Sequence, residues 1–452
     1  MNIDRRSFVK TAASLGVGSV LPFASDMATT AKEVLRIGFL GTGLRGQDHL
    51  AAILKRKDCR VVAICDIDPV MLGRTREIIK EHGASLPTIY DQSEEAWKDM
   101  LTREDLDAVI ISTPWEWHVP MAIGALSEDL YVGLEVGGAF SLDECWELVR
   151  AEESSRGKLF FLENVCYRRD VMAIMNMVRD GLFGELIHLQ GGYQHDLRAV
   201  KFNDGQQPYG GGVEFGEKGF SEARWRTPHS VHRNGELYPT HGLGPVAMMA
   251  NIHRGNRMTH LTAMASKARG LHDYIVKHPQ GGESHPNADV RFALGDVVTT
   301  MIHCQNGETI LLQHDTSLPR PYSLGFRVQG TGGLWMDVNH SLHLEGRTEP
   351  HRWEDAAGWL ERYDHPLWKK YADQANGAGH GGMDWFLINS FVEHARRDEH
   401  PPMDVYDAAA WMAITPLSEQ SIAQGSAPQN IPDFTNGRWV NRVPSFGIRE
   451  DY

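Results

Sequence analysis

Residues 41–46, Gly41-Thr42-Gly43-Leu44-Arg45-Gly46, have the spacing that holds a dinucleotide pyrophosphate. Gly41 allows a tight turn, Gly43 lets the backbone approach a phosphate, and Gly46 lets a helix pack closely on a strand. A helix that starts there aims free N–H groups and its positive end at the phosphates. About twenty residues further on, Asp66 can accept hydrogen bonds from both ribose hydroxyls and repel a 2′-phosphate, so the pattern selects NAD over NADP. A second set of residues suits proton transfer. Tyr238-Pro239-Thr240-His241 sets a phenol and an imidazole on either side of a proline-fixed turn; a buried tyrosine followed by a helix-capping histidine has the same pattern. In Gly377-Ala378-Gly379-His380-Gly381-Gly382 one histidine sits among residues whose backbone freedom costs stability. Such a histidine can swing into a site as lids do and, with a pKa near neutrality, both donate and accept a proton. A flexible linker or a helix cap is the alternative.

These residues need elements to hold them. The apolar run at 35–40 leads straight into the glycine turn, and a second at 59–65 ends on Asp66. Helical patterns at 69–83, 94–100, 119–127 and 142–157 alternate with strand patterns at 88–90, 106–113, 131–135 and 159–162. That rhythm predicts a doubly wound parallel sheet, with ligand groups at its strand ends: Trp115 to His118, Glu135-Val136 and Glu163-Asn164. Beyond about residue 166 the rhythm changes. A helix is expected at 171–180, a strand at 186–191, a long loop at 203–240 and a helix at 244–252. Strands at 259–265, 297–303, 308–314 and 324–329 and late helices at 384–397 and 405–424 suggest an α+β domain with an open antiparallel sheet. Tyr193 and His195 share one face if the strand before them continues.

At 452 residues the chain is long enough for two domains. The expected division is a Rossmann domain at 31–165 and a substrate-binding α+β domain at 166–452. A net charge of −14 argues against nucleic acid as a partner. No run of about twenty apolar residues marks a membrane-inserted helix. Five scattered cysteines show no metal spacing, so no metal site is expected. Asp4-Arg5-Arg6-Ser7-Phe8-Val9-Lys10 precedes a mildly apolar stretch at 11–23, so residues 1–30 resemble a twin-arginine export signal and imply a periplasmic protein. That route carries folded proteins, as a protein loaded with NAD in the cytoplasm requires.

The glycine turn, Thr113-Pro114 with His118, and Gln329-Gly-Thr-Gly332 resemble the glucose–fructose oxidoreductase, inositol dehydrogenase and MocA-like superfamily. Dehydrogenases of that superfamily carry Glu-Lys-Pro at one strand end, where the lysine acts on the hydroxyl being oxidised. Here Glu135-Val136-Gly137 stands instead, with no lysine. The stretches FLGTGLRGQDHL, STPWEWHVPMA, GLEVGGA, ENVCYRRD, RWRTPHSVHRNGELYPTHGLGP and GAGHGGMDWF resemble the NAD-dependent α-N-acetylgalactosaminidases of glycoside hydrolase family 109 over nearly the whole chain after residue 30.

The resemblance implies tightly bound, recycled NAD, with contacts from Leu44, Arg45, Asp66, Trp115, Glu116, Trp117, His118, Glu135, Val136 and Asn164. It implies sugar contacts from Tyr193, His195, Arg226, the Tyr238-Pro239-Thr240-His241 stretch and Tyr322. For Arg226 a surface salt bridge, for Tyr322 a core position and for Trp115 and Trp117 plain packing are the alternatives. The implied substrate is a glycan ending in N-acetylgalactosamine. The implied chemistry oxidises C3, removes the C2 proton, expels the aglycone, adds water at C1 and reverses the oxidation. Neutral acid/base groups serve such a site better than the carboxylate pair of most glycosidases. Tyr193, Tyr238, His241 and His380 are the catalytic candidates, His380 as acid to the departing oxygen and then base to water. An NAD-dependent sugar dehydrogenase or sugar–sugar oxidoreductase is the alternative function. The oligomeric state, a homo-oligomer included, is left open.

Overall fold

The structure, a computed structural model, describes residues 31–452; the expected export signal at 1–30 lies outside the described residues. The chain begins β1 (Leu35–Leu40), α1 (Leu44–Leu54), β2 (Cys59–Cys65), α2 (Pro69–Glu81), β3 (Thr88–Tyr90), α3 (Ala96–Arg103), β4 (Ala108–Ile111), α4 (Trp115–Ser127), β5 (Tyr131–Leu134), α5 (Leu142–Glu153) and β6 (Lys158–Phe161). The six strands form one parallel sheet of order β3-β2-β1-β4-β5-β6. Every residue of β4 and β5 is buried, which is why both read as unbroken apolar runs. Local chemistry starts the helices. Asp68 accepts from the Val70 and Met71 N–H groups ahead of Pro69 in α2, and Ser141 with Glu144 forms a capping box at α5. The strand order reverses between β1 and β4, so the glycine turn lies at the switch point where α/β sheets bind ligands.

The chain continues with α6 (Arg169–Arg179), β7 (Leu186–Gln194), α7 (Arg198–Lys201), α8 (Glu222–His232), α9 (Thr240–Met249), β8 (Met258–Ala265), α10 (Gly270–Lys277), β9 (Val297–Cys304), β10 (Thr309–Asp315) and β11 (Arg327–Gly330). Then come β12 (Gly333–Met336), β13 (Ser341–Leu344), β14 (Glu354–Asp355), α11 (Ala357–Arg362), α12 (Pro366–Ala375), α13 (Met383–Arg397), α14 (Val405–Met412), α15 (Ile414–Ala423) and β15 (Gln429–Asn430). Nine strands form the second sheet, of order β14-β13-β12-β11-β7-β10-β9-β8-β15. It is the expected antiparallel sheet except that β7 and β10 pair parallel. The long crossover between them returns the chain in the same direction, which only a parallel pair allows. The stretch 203–240 is also more structured than its polar composition suggests, because it contains α8. Pro228 inside that helix and its lack of a clear apolar face hide it from a periodicity reading.

The late helices come back to the first sheet. On α13, Phe391 packs against Tyr131 and Phe160, and a Cβ on Gly133 of β5 would sit 2.9 Å from the Phe391 ring. Arg396 donates to Asp58 at 2.8 Å and to the Lys32 carbonyl at 2.9 Å, while Phe161 N–H donates to Met403 O. α13 thus spans from the glycine-rich segment at 377–382 to the flank of β1, and this path places His380 beside the cofactor turn.

Candidate active site

The cofactor turn has the shape its sequence requires. Gly41 adopts φ +83°. A Cβ on Gly46 would lie 2.3 Å from the Gly41 carbonyl oxygen, whereas a Cβ on Gly43 would meet nothing within 4 Å. The open space over Gly43 has room for a pyrophosphate. α1 has no acidic residue in its first turn and no side-chain cap, so its leading N–H groups stay available to an anion. Asp66 accepts from Thr42 N–H at 2.6 Å and from Asp68 N–H at 2.8 Å, which anchors it at the end of β2 beside the turn. The Ser112 and Thr113 hydroxyls after β4 and Asn164 Oδ1 after β6 are buried without a hydrogen-bond partner. Orphaned polar atoms at the ends of parallel strands, next to a turn open to phosphate, fit NAD.

Other cofactor candidates carry protein contacts of their own. Trp115 packs at 5.2 Å on Trp225 and on His229, and a Cβ on Gly137 would lie 2.7 Å from its ring. Trp117 and Val136 pack with the main core. His118 Nε2 is bonded to Thr113 O at 2.9 Å, and burial lowers its pKa to about 4, so it stays neutral. Glu116 lies on the first turn of α4, and Leu44 opens α1. Arg45 is held by two carboxylates. It gives Nε to Glu135 at 2.7 Å and both terminal nitrogens to Asp384 at 2.7 and 2.9 Å. Glu135 also meets Nε2 of the buried His49. Burial pushes the Glu135 carboxyl up, but the Arg45 charge and the His49 hydrogen bond hold it well below the usual range.

A cavity of about 1030 Å³ opens between the second sheet and the segment 380–383. Five candidates line it: Tyr193, His195, His241, Tyr322 and His380. β7 extends to Gln194, so Tyr193 and His195 face the same way, with Tyr193 OH 3.5 Å from His195 Nδ1. The Tyr193 ring lies 5.5 Å from that of His241, and Tyr322 stands edge-on to His195 at 4.9 Å. His241 lies in the first turn of α9, and its Nδ1 is held at 2.7 Å by Glu163, a fully buried carboxylate at the end of β6. His380 adopts φ +51° in a short 3₁₀ turn, with Nδ1 held at 2.7 Å by Asp384. The hydrogen bond to Asp384 raises the His380 pKa against the effect of burial. Burial pushes the Asp384 carboxyl up, but His380 and Arg45 together hold it far below the carboxylate range.

The remaining substrate candidates do not line this cavity but pack on the residues that do. Tyr238 packs at 4.7 Å on Tyr193 and at 4.9 Å on His241. Arg226 lies 5.2 Å over both the Trp115 and Tyr238 rings and is paired with Glu222. Pro239 caps α9, and Thr240 is buried with its hydroxyl unpartnered. Burial raises the pKa of both Tyr193 and Tyr238, so both remain neutral phenols. The parts that a sequence reading misses are the two carboxylates that hold the imidazoles. Asp384 lies four residues after His380, a helical spacing that signals the pair only once the turn is known to lead into α13. Glu163 sits at a strand end expected to carry ligand groups, but nothing local connects it to His241.

Comparison with known proteins places both parts of the chain in known families. Residues 35–162 match the oxidoreductase family with an NAD-binding Rossmann fold, and residues 167–441 match the C-terminal domain of glycosyl hydrolase 109. A glycosyl hydrolase family 109 protein of Stenotrophomonas maltophilia (strain K279a) is 55% identical over 454 residues, covering 100% of this chain and 99% of its own. An α-N-acetylgalactosaminidase of Tannerella forsythia is 47% identical, covering 99% of this chain and 100% of its own. Two solved structures share the fold. Levoglucosan dehydrogenase with NADH and L-sorbose has a TM-score of 0.60 at 17% identity, over 89% of this chain and 100% of that one. An inositol dehydrogenase homolog with NAD⁺ from Azotobacter vinelandii has a TM-score of 0.60 at 20% identity, over 89% and 99%. With an NAD-binding turn beside a cavity walled by paired histidines and tyrosines, and with full-length relatives at this identity, the chain belongs to glycosyl hydrolase family 109 as an NAD-dependent glycoside hydrolase.

Proposed function

We propose that this enzyme releases terminal α-linked N-acetylgalactosamine by oxidation, elimination, addition and reduction at the sugar, with one NAD retained through successive turnovers. The observation that carries this reading is the pair of imidazoles facing one cavity, each with Nδ1 on a buried carboxylate. Glu163 and Asp384 do not line the cavity, so they serve the histidines and not the glycosidic bond directly. The relatives named α-N-acetylgalactosaminidase, from Tannerella forsythia and Shewanella oneidensis, support the choice of sugar. Bound NAD supplies reversible hydride acceptance.

The protein supplies the proton transfers. Tyr193, a neutral phenol beside His195, relays the proton of the C3 hydroxyl towards Nδ1 of that histidine. His241 gives its Nδ1–H to Glu163 and so offers the Nε2 lone pair as base to the C2 proton. His380, whose protonated form Asp384 favours, donates to the departing oxygen, and the same nitrogen then accepts a proton from the incoming water. Turnover in heavy water tests the scheme. Deuterium should appear at C2 of the released sugar, and cleavage without it would rule out elimination. The dehydrogenase alternative keeps one distinguishing readout, steady NADH accumulation with simple sugars. Val136, where dehydrogenases of the superfamily have lysine, speaks against it.

We also propose that the enzyme is exported, already loaded with NAD, by the twin-arginine route to the periplasm. Arg5-Arg6 and the following apolar stretch support this. Replacing both arginines by lysine should hold the protein in the cytoplasm; normal periplasmic levels of that variant would overturn the proposal.

A further inference from the structure

The cavity is larger than the sugar it is proposed to cleave. At about 1030 Å³ it stands at the top of the roughly 300–1,000 Å³ range that holds a drug-sized ligand. One pyranose with an acetamido arm is a smaller molecule than that. No residue of the glycine turn or of the β4 and β5 strand ends lines the cavity, so the pyrophosphate end of NAD takes none of this space. The surplus has a wall of its own. Tyr193, His195 and His241 form one side, and the start of α6, α11 and Trp368 of α12 form the other. The His380 turn adjoins the second side, since a Cβ on Gly382 would lie 3.0 Å from the Trp368 ring.

That second wall carries groups prepared for hydroxyls. The Arg169 guanidinium lies 5.7 Å over Trp368, and Asp364 holds its Nε and one terminal nitrogen at 3.1 and 2.7 Å. Asp364 thus orients the half-exposed fork, while its other terminal nitrogen has no hydrogen-bond partner among the described residues. Glu361 lines the cavity, and its carboxylate likewise has no hydrogen-bond partner among the described residues. Arg168 is matched by Asp170 and Asp337, and Arg169 by Asp364 with Glu361 also acting on its charge, so the wall carries more negative than positive charge. Such a wall attracts no anion.

We propose that this wall is a leaving-group subsite for an uncharged sugar ring, whose hydroxyls donate to Glu361 and accept from Arg169. The inference rests on the glycosidase reading above and extends it from the terminal sugar to the residue beneath it. His380, where the two walls meet, then stands at the oxygen joining the two rings.

The test uses purified, NAD-loaded enzyme and four α-N-acetylgalactosaminides. Their leaving groups are p-nitrophenol, methanol, galactose and sulfated galactose. Methanol and galactose are both poor leaving groups, so the ratio of their kcat/KM values reports contacts to the second ring. The native enzyme should favour the disaccharide over the methyl glycoside by about ten-fold or more, the scale of one hydrogen bond to a charged group. Sulfation should reduce that preference. Glu361→Ala and Arg169→Ala should each cut it by about ten-fold. Arg169 also holds Asp364, so if its variant fails to fold, Glu361→Ala decides. A native ratio near one, or equal losses on both substrates in Glu361→Ala, would overturn the subsite. Continued p-nitrophenol release in those cases would leave the glycosidase reading standing, whereas no release from any substrate by native enzyme would bring down both.

Discussion

Asp384 accepts four N–H groups: two from Arg45, one from Asn164 and one from His380. So many donors keep it ionised despite burial, and an ionised partner at Nδ1 is what favours the protonated form of His380. The sign of the pH effect follows. With its pKa raised, His380 stays a competent acid to higher pH, and turnover on poor leaving groups falls only as pH rises through that value. Asp384→Asn removes the support, so this fall should move to lower pH in the kcat profile, and Asp384→Glu should restore it in part. An unmoved profile would mean that Asp384 shapes the turn and does not set the acid. His380→Ala should lower kcat on alkyl and sugar leaving groups by about 10²–10⁴-fold and on aryl glycosides much less. C2 proton exchange should persist in that variant, as mass analysis in heavy water would show. At this scale sequence reading goes as far as the histidine and stops short of its carboxylate.

At the scale of elements, the β1–α1 junction separates two kinds of glycine. Gly46→Ala places a methyl group against the Gly41 carbonyl, a backbone atom that cannot move without opening the turn. Thermal melting should show a loss of about 1–3 kcal/mol, the range for overpacking. Gly43→Ala meets open space in the protein, so the melting temperature of the NAD-free form should hardly change. Its bound NAD, assayed after denaturation, should drop, because the methyl group occupies the phosphate's place. Equal stability losses in both variants would refute this division. The motif alone points to both roles because each is a property of one short turn. β7 shows the opposite case. Tyr193 and His195 share a face only because the strand runs on to Gln194, through two glycines that weaken its pattern. α8 likewise escapes periodicity.

For the whole molecule, the critical seam runs where the active-site segment 236–241 meets α15. Thr415 donates to Glu236 O at 2.7 Å and Ser418 Oγ accepts from Glu236 N–H at 2.8 Å. The Glu236 carboxyl is buried in this seam, with Oε2 unpartnered, and burial raises its pKa to about 8. A carboxyl raised in the folded state stabilises fully below its unfolded value, near 4.5, and that stability is lost as pH rises through about 8. The slope is at most about 1.4 kcal/mol per pH unit for one group. Glu236→Gln stays neutral throughout, so its melting temperature should gain on the native protein between about pH 5 and about pH 8. Parallel curves for the two proteins would show that Glu236 does not titrate in this window.

The sequence alone determined whatever depends on neighbours along the chain. The order of strands and helices around NAD, the glycine turn with Asp66, and the histidine among glycines all follow from backbone sterics and short-range periodicity. Only the tertiary structure decided which groups act together. His241 and its Glu163 are 78 residues apart, and Arg45 and Asp384 are 339 apart. Tyr238 and Arg226 are twelve residues apart in sequence, and tertiary packing stacks them on each other and on Tyr193. A buried carboxylate takes its nearest donors in space, and the return of α13 to the first sheet brings Asp384 to those it has.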